Sequence, residues 1–354
     1  MSHRGLASVE SQPLRMTTIE PSIIVANTSS RKLSLEGIQR PIEAELEHFK
    51  GYFRGAMRSR VFLMDQVIQY LLRQKGKQMR PLLVLLSAKA AGGIVESTYR
   101  GAALVELLHT ATLVHDDVVD DSDRRRGMFS INALWKNKIA VLLGDFLLSR
   151  GLLLALDNKD YQLLHIVSDA VKRMSEGELL QIEKARKLDI DEATYFQIIS
   201  DKTASLLSAC TSCGASSATT DEATILLFKD FGQALGMAFQ IRDDLFDFGV
   251  KDIGKPLGID LQEKKMTLPL IYSLGKASKS EKKRILNIVR KKGKSKRDIR
   301  EVATFVESSG GTTYATEKML SFASEAHQLL ERLPESDARN SLGDLVSFTV
   351  TRSK

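Results

Sequence analysis

Proline is scarce in this chain, seven residues scattered through 354. Proline breaks a helix wherever it falls inside one, so its scarcity permits long helices almost everywhere. Cysteine is scarcer still. Two thiols cannot build a disulfide framework, which fits a reducing compartment and a cytoplasmic protein. No stretch reaches the roughly 18 uncharged apolar residues of a spanning helix. The nearest, 139–156, is interrupted by Asp145 and Arg150, so no membrane span is expected. The N-terminus lacks a compact basic start, an apolar core and a small-residue cleavage site, so no secretory signal is visible. Alternating strand patterns and fixed-period repeats are also missing. Ordinary composition remains, 43% hydrophobic and 27% charged, which excludes wholesale disorder.

From about Leu35 onward a 3.6-residue apolar period dominates, and the expected fold class is all-α. Pro81 sits where a helix begins, Gly92-Gly93 ends it, and Ser97 can cap the next, which runs to Val119. Later helices are expected over 138–156, 160–187, 191–215, 220–249, 265–276, 280–292, 296–308, 312–332 and 337–351, with Asp191 and Ser336 as caps. Residues 1–33 are Ser/Thr-rich without a clear period and read as a loosely ordered extension. Residues 34–354 read as one all-α domain.

The net charge of +7 is uneven. Segment 276–300 holds twelve Lys/Arg against Glu281 and Asp298, and the remainder of the chain is slightly acidic. The plain reading is two solvated helix faces. The sharper one is peripheral contact with an anionic membrane. The segment has no aromatic residue for base stacking, so nucleic acid is not an expected partner.

Two aspartate clusters carry the strongest chemical signal. Asp116-Asp117-Val118-Val119-Asp120 follows LHTATLVH, and Asp243-Asp244-Leu245-Phe246-Asp247 follows LGMAFQIR. Both read DDxxD. Helical i,i+4 spacing stacks Asp116 over Asp120 and Asp243 over Asp247. Like charges so placed repel, and hard oxygen ligands without a Cys or multi-His set suit Mg²⁺ completed by substrate phosphates. One such cluster could be a solvated helix end; two, each closing an apolar helix, point to a site. Cations accompany them: Lys77 and Arg80 in GKQMRP, Arg124-Arg125-Arg126 after the first cluster, Lys202 in DKTAS, Lys255 in GKPLG, and Lys264-Lys265. Guanidinium forks and ammonium groups beside carboxylate-held metal are what two diphosphates require for charge balance.

Six motifs in order, GKxxRP, ELLHxxxLxHDDVVD with RRG, GD at 144–145, DKTAS, FQxxDDxxD and GxDLxxxKxTLPL, give the chain a resemblance to the trans-type isoprenyl diphosphate synthases of the polyprenyl synthetase family, over roughly residues 40–352. The resemblance implies a helical bundle around a central active-site cavity. It also implies a Mg²⁺-dependent transfer of an allylic prenyl group onto isopentenyl diphosphate, and a homodimer. Asp116, Asp117, Asp120, Asp243, Asp244 and Asp247 would hold Mg²⁺. Arg125, Lys202, Lys265 and Lys255 would contact the allylic diphosphate. Lys77, Arg80, His109 and Arg126 would bind isopentenyl diphosphate, and Thr203 and Gln240 would sit near the allylic carbon. The chain departs from the family pattern at Gln78, often Arg, and at Lys264, usually Gly, which leaves open which of Lys264 and Lys265 meets phosphate.

In this family, bulky aromatics four and five residues before the first aspartate block the tunnel for the growing chain. Here those positions are Thr112 and Ala111, so a long product of about C30 to C50 is expected, as for quinone side chains, because a close-packed interior has room only where small side chains leave it. Leu108, Leu152 and Met174 are candidate floors. Rival readings are a class I terpene cyclase, which more often lacks a second DDxxD, and a non-catalytic regulatory subunit, which usually loses aspartates or the GKxxR cations. Cys210-x-x-Cys213 lacks a second ligand pair for zinc and is expected to pack. His115-Asp116 lacks the further ligands of an HD hydrolase, and Asp121-Ser122-Asp123 lacks the glycine of a calcium loop.

Overall fold

The computed structural model describes residues 33–74, 76, 78–125, 127–248 and 258–352. Residues 1–32 of the expected extension, and Lys77, Arg126 and Lys255, lie outside the described residues. The described residues are helical almost throughout. Helix α1 (Leu35–Gln39) starts where Ser34 Oγ accepts the Gly37 N–H at 3.1 Å. A 3₁₀ turn (Arg40–Ile42) leads to α2 (Glu43–Ala56), α3 (Phe62–Arg73), α4 (Met79–Ala91) and α5 (Glu96–Val119). A two-residue antiparallel pair, β1 (Arg124–Arg125) with β2 (Met128–Phe129), turns at Gly127. Then come α6 (Ile131–Asp157), α7 (Tyr161–Lys187), α8 (Glu192–Ile199), a π-helical turn (Ser200–Ala204), α9 (Ser205–Ala218) and α10 (Glu222–Phe246). The C-terminal third holds α11 (Ile259–Gln262), α12 (Leu268–Lys276), α13 (Lys279–Arg290), α14 (Lys296–Ser308), α15 (Gly311–Glu331) and α16 (Asp337–Thr351).

The core runs around α4, whose residues Leu82, Leu83, Val84, Leu85 and Leu86 are all buried. A helix apolar on every side belongs at the centre of a bundle; α4 packs on α9, α5 and α16, while α10 packs on α9 and α15. Both DDxxD helices, α5 and α10, thus lie against the same central layer. The α5–α6 pairing is close because Gly151 has no side chain: a Cβ there would collide with Leu108 Cδ1. Leu108 therefore fills a notch in α6.

Four expectations change. Ser97 does not cap α5; it lies in the first turn, and Thr98 Oγ1 accepts the Val95 N–H at 3.1 Å instead. Asp191 and Ser336 do cap their helices, accepting from Thr194 N and Arg339 N. The helix expected over 191–215 is interrupted by the π turn, and the one expected from 265 starts at Leu268, after extended Thr267 and with Pro269 in its first turn. Finally, α6 has the length and composition to cross a membrane, although a third of its most apolar stretch is buried. Its inner side packs on α5, and Leu134, Val141, Leu142, Leu153 and Leu156 face outward.

Candidate active site

The first aspartate cluster closes α5. The Asp120 N–H donates to Asp116 O at 2.8 Å, so the last turn carries Asp116 beneath Asp120. Burial pushes the Asp116 carboxyl above its ordinary range, and the negative charges of Asp120 and Glu178 add to it. Asp117 is different. One residue rotates about 100° around a helix, which turns Asp117 into the protein, where it is 3% exposed. Both its carboxylate oxygens accept from Arg125 Nε at 2.9 Å, and Asn132 Nδ2 donates to its backbone carbonyl at 3.2 Å. Asp116 and Asp120 thus form a facing pair, and Asp117 beside them pairs with Arg125.

The second cluster, at the end of α10, divides in the same way. Asp243 Oδ1 accepts from Arg352 Nη2 at 2.5 Å, and that guanidinium stacks on Phe239 with its centre 4.1 Å from the ring. Asp247 Oδ2 takes the Leu261 N–H at 3.4 Å, tying α11 to the cluster. Asp244 is 5% exposed, accepts from Tyr195 Oη at 2.7 Å and from Gln240 Nε2 at 2.9 Å, and is pushed up by burial to about 7. Among the described residues, no three His, Cys, Asp or Glu side chains converge as a closed metal cage. Repelling carboxylates with raised proton affinity nevertheless fit a hard divalent cation that takes its other ligands from phosphate and water.

Beside the second cluster lies a cleft of about 220 Å³ whose lining includes Lys202, Thr203, Gln240, Asp244, Asp260 and Lys265, and the Lys202 charge also acts on Asp116 of the first cluster. The π turn brings two of these to one wall. Its Ser205 N–H reaches back to Ser200 O, one residue wider than an α turn. Gly177 of α7 admits this widened turn, since a Cβ there would stand 3.0 Å from Lys202 N and Asp201 Cβ. The turn is braced from behind: Arg173 Nε donates to Asp201 Oδ1 at 2.8 Å, and Arg173 Nη2 and Gln233 Nε2 donate to Ser200 Oγ at 3.1 and 2.9 Å. In front, Lys202 Nζ donates to Gln181 Oε1 at 3.2 Å and pairs with Glu178, and Thr203 Oγ1 donates to Gln240 Oε1 at 2.8 Å. Lys265 Nζ reaches Asp260 Oδ1 at 3.4 Å and Glu263 Oε2 at 2.6 Å. The adjacent lysines differ in placement. Lys264 takes a left-handed φ of 60°, which explains a preference for glycine at that place, and Lys265 lines the cleft.

A second cleft of about 120 Å³ includes Gly76, Gln78, Arg80, Glu106, Asp117 and Arg125 in its lining. Arg80 makes a two-pronged pair with Glu106, Nε to Oε2 at 2.7 Å and Nη2 to Oε1 at 3.0 Å. Half-buried His109 lies on α5 but is not in this lining. Arg125, expected on the allylic side, stands in this second cleft beside Asp117.

Ala111 is buried and Thr112 half-buried, its Oγ1 donating to His109 O at 2.8 Å; neither lines the two clefts. Cys210 and Cys213 are buried free thiols, and burial pushes Cys210 up to about 12, which suits packing and not redox chemistry. The sequence did not single out Tyr195, Glu178, Gln181 or Arg352, and it gave no role to Glu106 or Asp260 within the ELLH and GxDL motifs. GELLQ, with Glu178 and Gln181 three apart, and GIDL, with Asp260, carried a signal; Tyr195 and Arg352 carried none.

Comparison with known proteins agrees with this geometry. The chain matches the polyprenyl synthetase family over residues 62–306. It is 36% identical over 290 residues to the short chain isoprenyl diphosphate synthase of Methanothermobacter thermautotrophicus, covering 80% of this chain and 89% of that one. The crystal structure of a decaprenyl diphosphate synthase from Rhodobacter capsulatus superposes with a TM-score of 0.85 at 33% identity, covering 91% of this chain and all of that one. A polyprenyl synthase from Caulobacter crescentus, complexed with calcium and isoprenyl diphosphate, gives 0.82 at 32% identity over 92% of this chain and all of that one. With paired aspartate helices, a cationic wall beside them and the match over most of its length, this chain belongs to the polyprenyl synthetase family of all-α prenyltransferases.

Proposed function

We propose that the chain elongates an allylic primer, farnesyl or geranylgeranyl diphosphate, with isopentenyl diphosphate, and releases a long all-trans polyprenyl diphosphate of the kind used for quinone side chains. The carrying observation is the cleft that gathers Lys202, Lys265, Thr203 and Gln240 with Asp244 of the second aspartate helix, its Lys202 within electrostatic reach of Asp116 on the first. Asp116, Asp117, Asp120, Asp243, Asp244 and Asp247 would hold Mg²⁺, which supplies countercharge for the leaving diphosphate when bound. Lys202 and Lys265 take up the negative charge that accumulates as the allylic C–O bond breaks. The Thr203 and Gln240 oxygens turn their dipoles toward the developing allylic cation. Arg80 and Arg125 hold the second diphosphate, so that its double bond attacks the cationic carbon and the released diphosphate takes the lost proton. Ile198, Ile199 and Met266 line the cleft and keep out water, which would trap the cation as an alcohol.

Length of product rests on small Ala111 and on relatives that include a decaprenyl synthase. Homodimerisation completes the reading. The outward stripe Leu134, Val141, Leu142, Leu153 and Leu156 of α6, with Tyr161, Leu179 and Ile182 of α7, is an apolar face for a second copy. Leu142→Glu with Leu153→Glu should yield monomers by sedimentation. Cytoplasmic placement, with both thiols unbridged, belongs to the same proposal. Mg²⁺-dependent incorporation of labelled isopentenyl diphosphate tests the chemistry. An Asp116→Ala protein that keeps wild-type turnover would remove the metal assignment.

A further inference from the structure

The charge of segment 276–300 has no part in the chemistry above, and the structure gives it a shape. Helices α13 and α14, joined by 291–295, form a hairpin that turns Ile285, Ile288, Val289, Val302, Phe305 and Val306 inward. Eleven of the twelve lysines and arginines are exposed. The two acids of the segment are spent locally. Glu281 and Asp298 each close a capping box, with Ser278 and Ser295, and Asp298 also takes Lys291 Nζ at 2.6 Å. Glu301 pairs with Arg284. Among the described residues, no carboxylate lies within ion-pair distance of Lys279, Lys282, Lys283, Lys292, Lys296 or Arg297.

The hairpin tip is also fastened to the catalytic cleft. The Gln262 side chain and the Lys294 backbone exchange hydrogen bonds, Nε2 to O at 3.0 Å and N to Oε1 at 3.1 Å. Gly258, at φ +81°, receives Ile299 where a Cβ would stand 2.6 Å from Cγ2. Lys294, the buried cation of this segment, donates from Nζ to Lys291 O at 3.1 Å. The turn 258–265, which carries Asp260 and Lys265, therefore rests on the basic hairpin.

We propose that the outer face of α13–α14 docks on an anionic lipid bilayer and sets the mouth of the catalytic cleft beside it. Three observations favour a bilayer over other polyanions. The cations are a dense single-sign array on a chain whose remainder is slightly acidic. The segment has no aromatic side chain on which bases could stack. The proposed product is a long apolar chain that leaves water for lipid. The charge argument stands on the hairpin alone, and only delivery of product rests on the prenyl-transfer reading.

The test is sedimentation of the full chain with vesicles of phosphatidylcholine containing phosphatidylglycerol, against phosphatidylcholine alone, at physiological ionic strength. Binding to the anionic vesicles, released by high salt, is expected. Each lysine or arginine near an anionic surface multiplies the partition about fivefold. Lys292→Gln, Lys296→Gln and Arg297→Gln together should therefore weaken binding about a hundredfold. None of the three lines the cleft, so turnover without vesicles should stay at the wild-type level. Equal binding to both vesicles, undiminished binding by the triple variant, or tighter binding to a short DNA duplex at the same salt would overturn the proposal. Binding to anionic vesicles by a wild-type chain that incorporates no isopentenyl diphosphate would instead count against the prenyl-transfer reading alone.

Discussion

The second cluster contains a carboxyl group that the folded protein holds at a cost, and removing its charge should reveal that cost. Asp244 is buried beneath Tyr195 and Gln240, and burial lifts its pKa from 3.8 to about 7. Between those values the folded chain keeps the proton that the unfolded chain has lost. Stability from this group is therefore full below about pH 4, is lost as pH rises toward 7, and stays lost above it. Each pH unit in that window weighs ~1.4 kcal/mol, so the whole window amounts to about 4 kcal/mol. Asp244→Asn removes the titration and keeps an acceptor for the Tyr195 hydroxyl. In urea unfolding with EDTA at fixed protein concentration, the variant should gain on wild type by about 4 kcal/mol between pH 4 and pH 8, whatever constant offset the amide introduces. With Mg²⁺ and diphosphate bound, the wild-type dependence should flatten, because a nearby cation favours the carboxylate. A difference between variant and wild type that does not change with pH would refute the account of Asp244.

Three other perturbations probe the site. Asp201→Asn removes the Arg173 ion pair behind the π turn, and kcat should fall about tenfold to a hundredfold, as misplacement of Lys202 and Thr203 demands, with KM for isopentenyl diphosphate unchanged. Unchanged kcat would mean that the turn needs no brace. Arg352→Met takes away the guanidinium that occupies Asp243, so half-maximal activity should need about fivefold less Mg²⁺, read from a metal titration. A higher requirement would show that Arg352 orients Asp243 for metal. Ala111→Phe should shorten the product, read by chromatography; an unchanged length would mean that the chain extends elsewhere.

The all-α class and the stacking of Asp116 on Asp120 were legible because both follow from helical period alone. The separation of Asp117 and Asp244 from their neighbours was not. One helix position turns them toward Arg125 and Tyr195, and only packing against β1 and α8 decides what lies there. The π turn was hidden as well, since DKTAS contains no helix breaker and the widening depends on Gly177 of a different helix. Arg352 meets Asp243 across 109 positions of chain, a distance over which no local spacing speaks. The different placement of Lys264 and Lys265 depends on the left-handed backbone at residue 264, which spacing does not reveal.

The central claim is long-chain prenyl transfer, and product length tests it most directly. The chain would be incubated with Mg²⁺, labelled isopentenyl diphosphate and farnesyl diphosphate, and the products separated after dephosphorylation. A ladder ending between about C30 and C50 is predicted, from the small side chain of Ala111 and from relatives that include a decaprenyl diphosphate synthase. No incorporation with either a farnesyl or a geranylgeranyl primer would contradict the claim and favour a non-catalytic partner subunit.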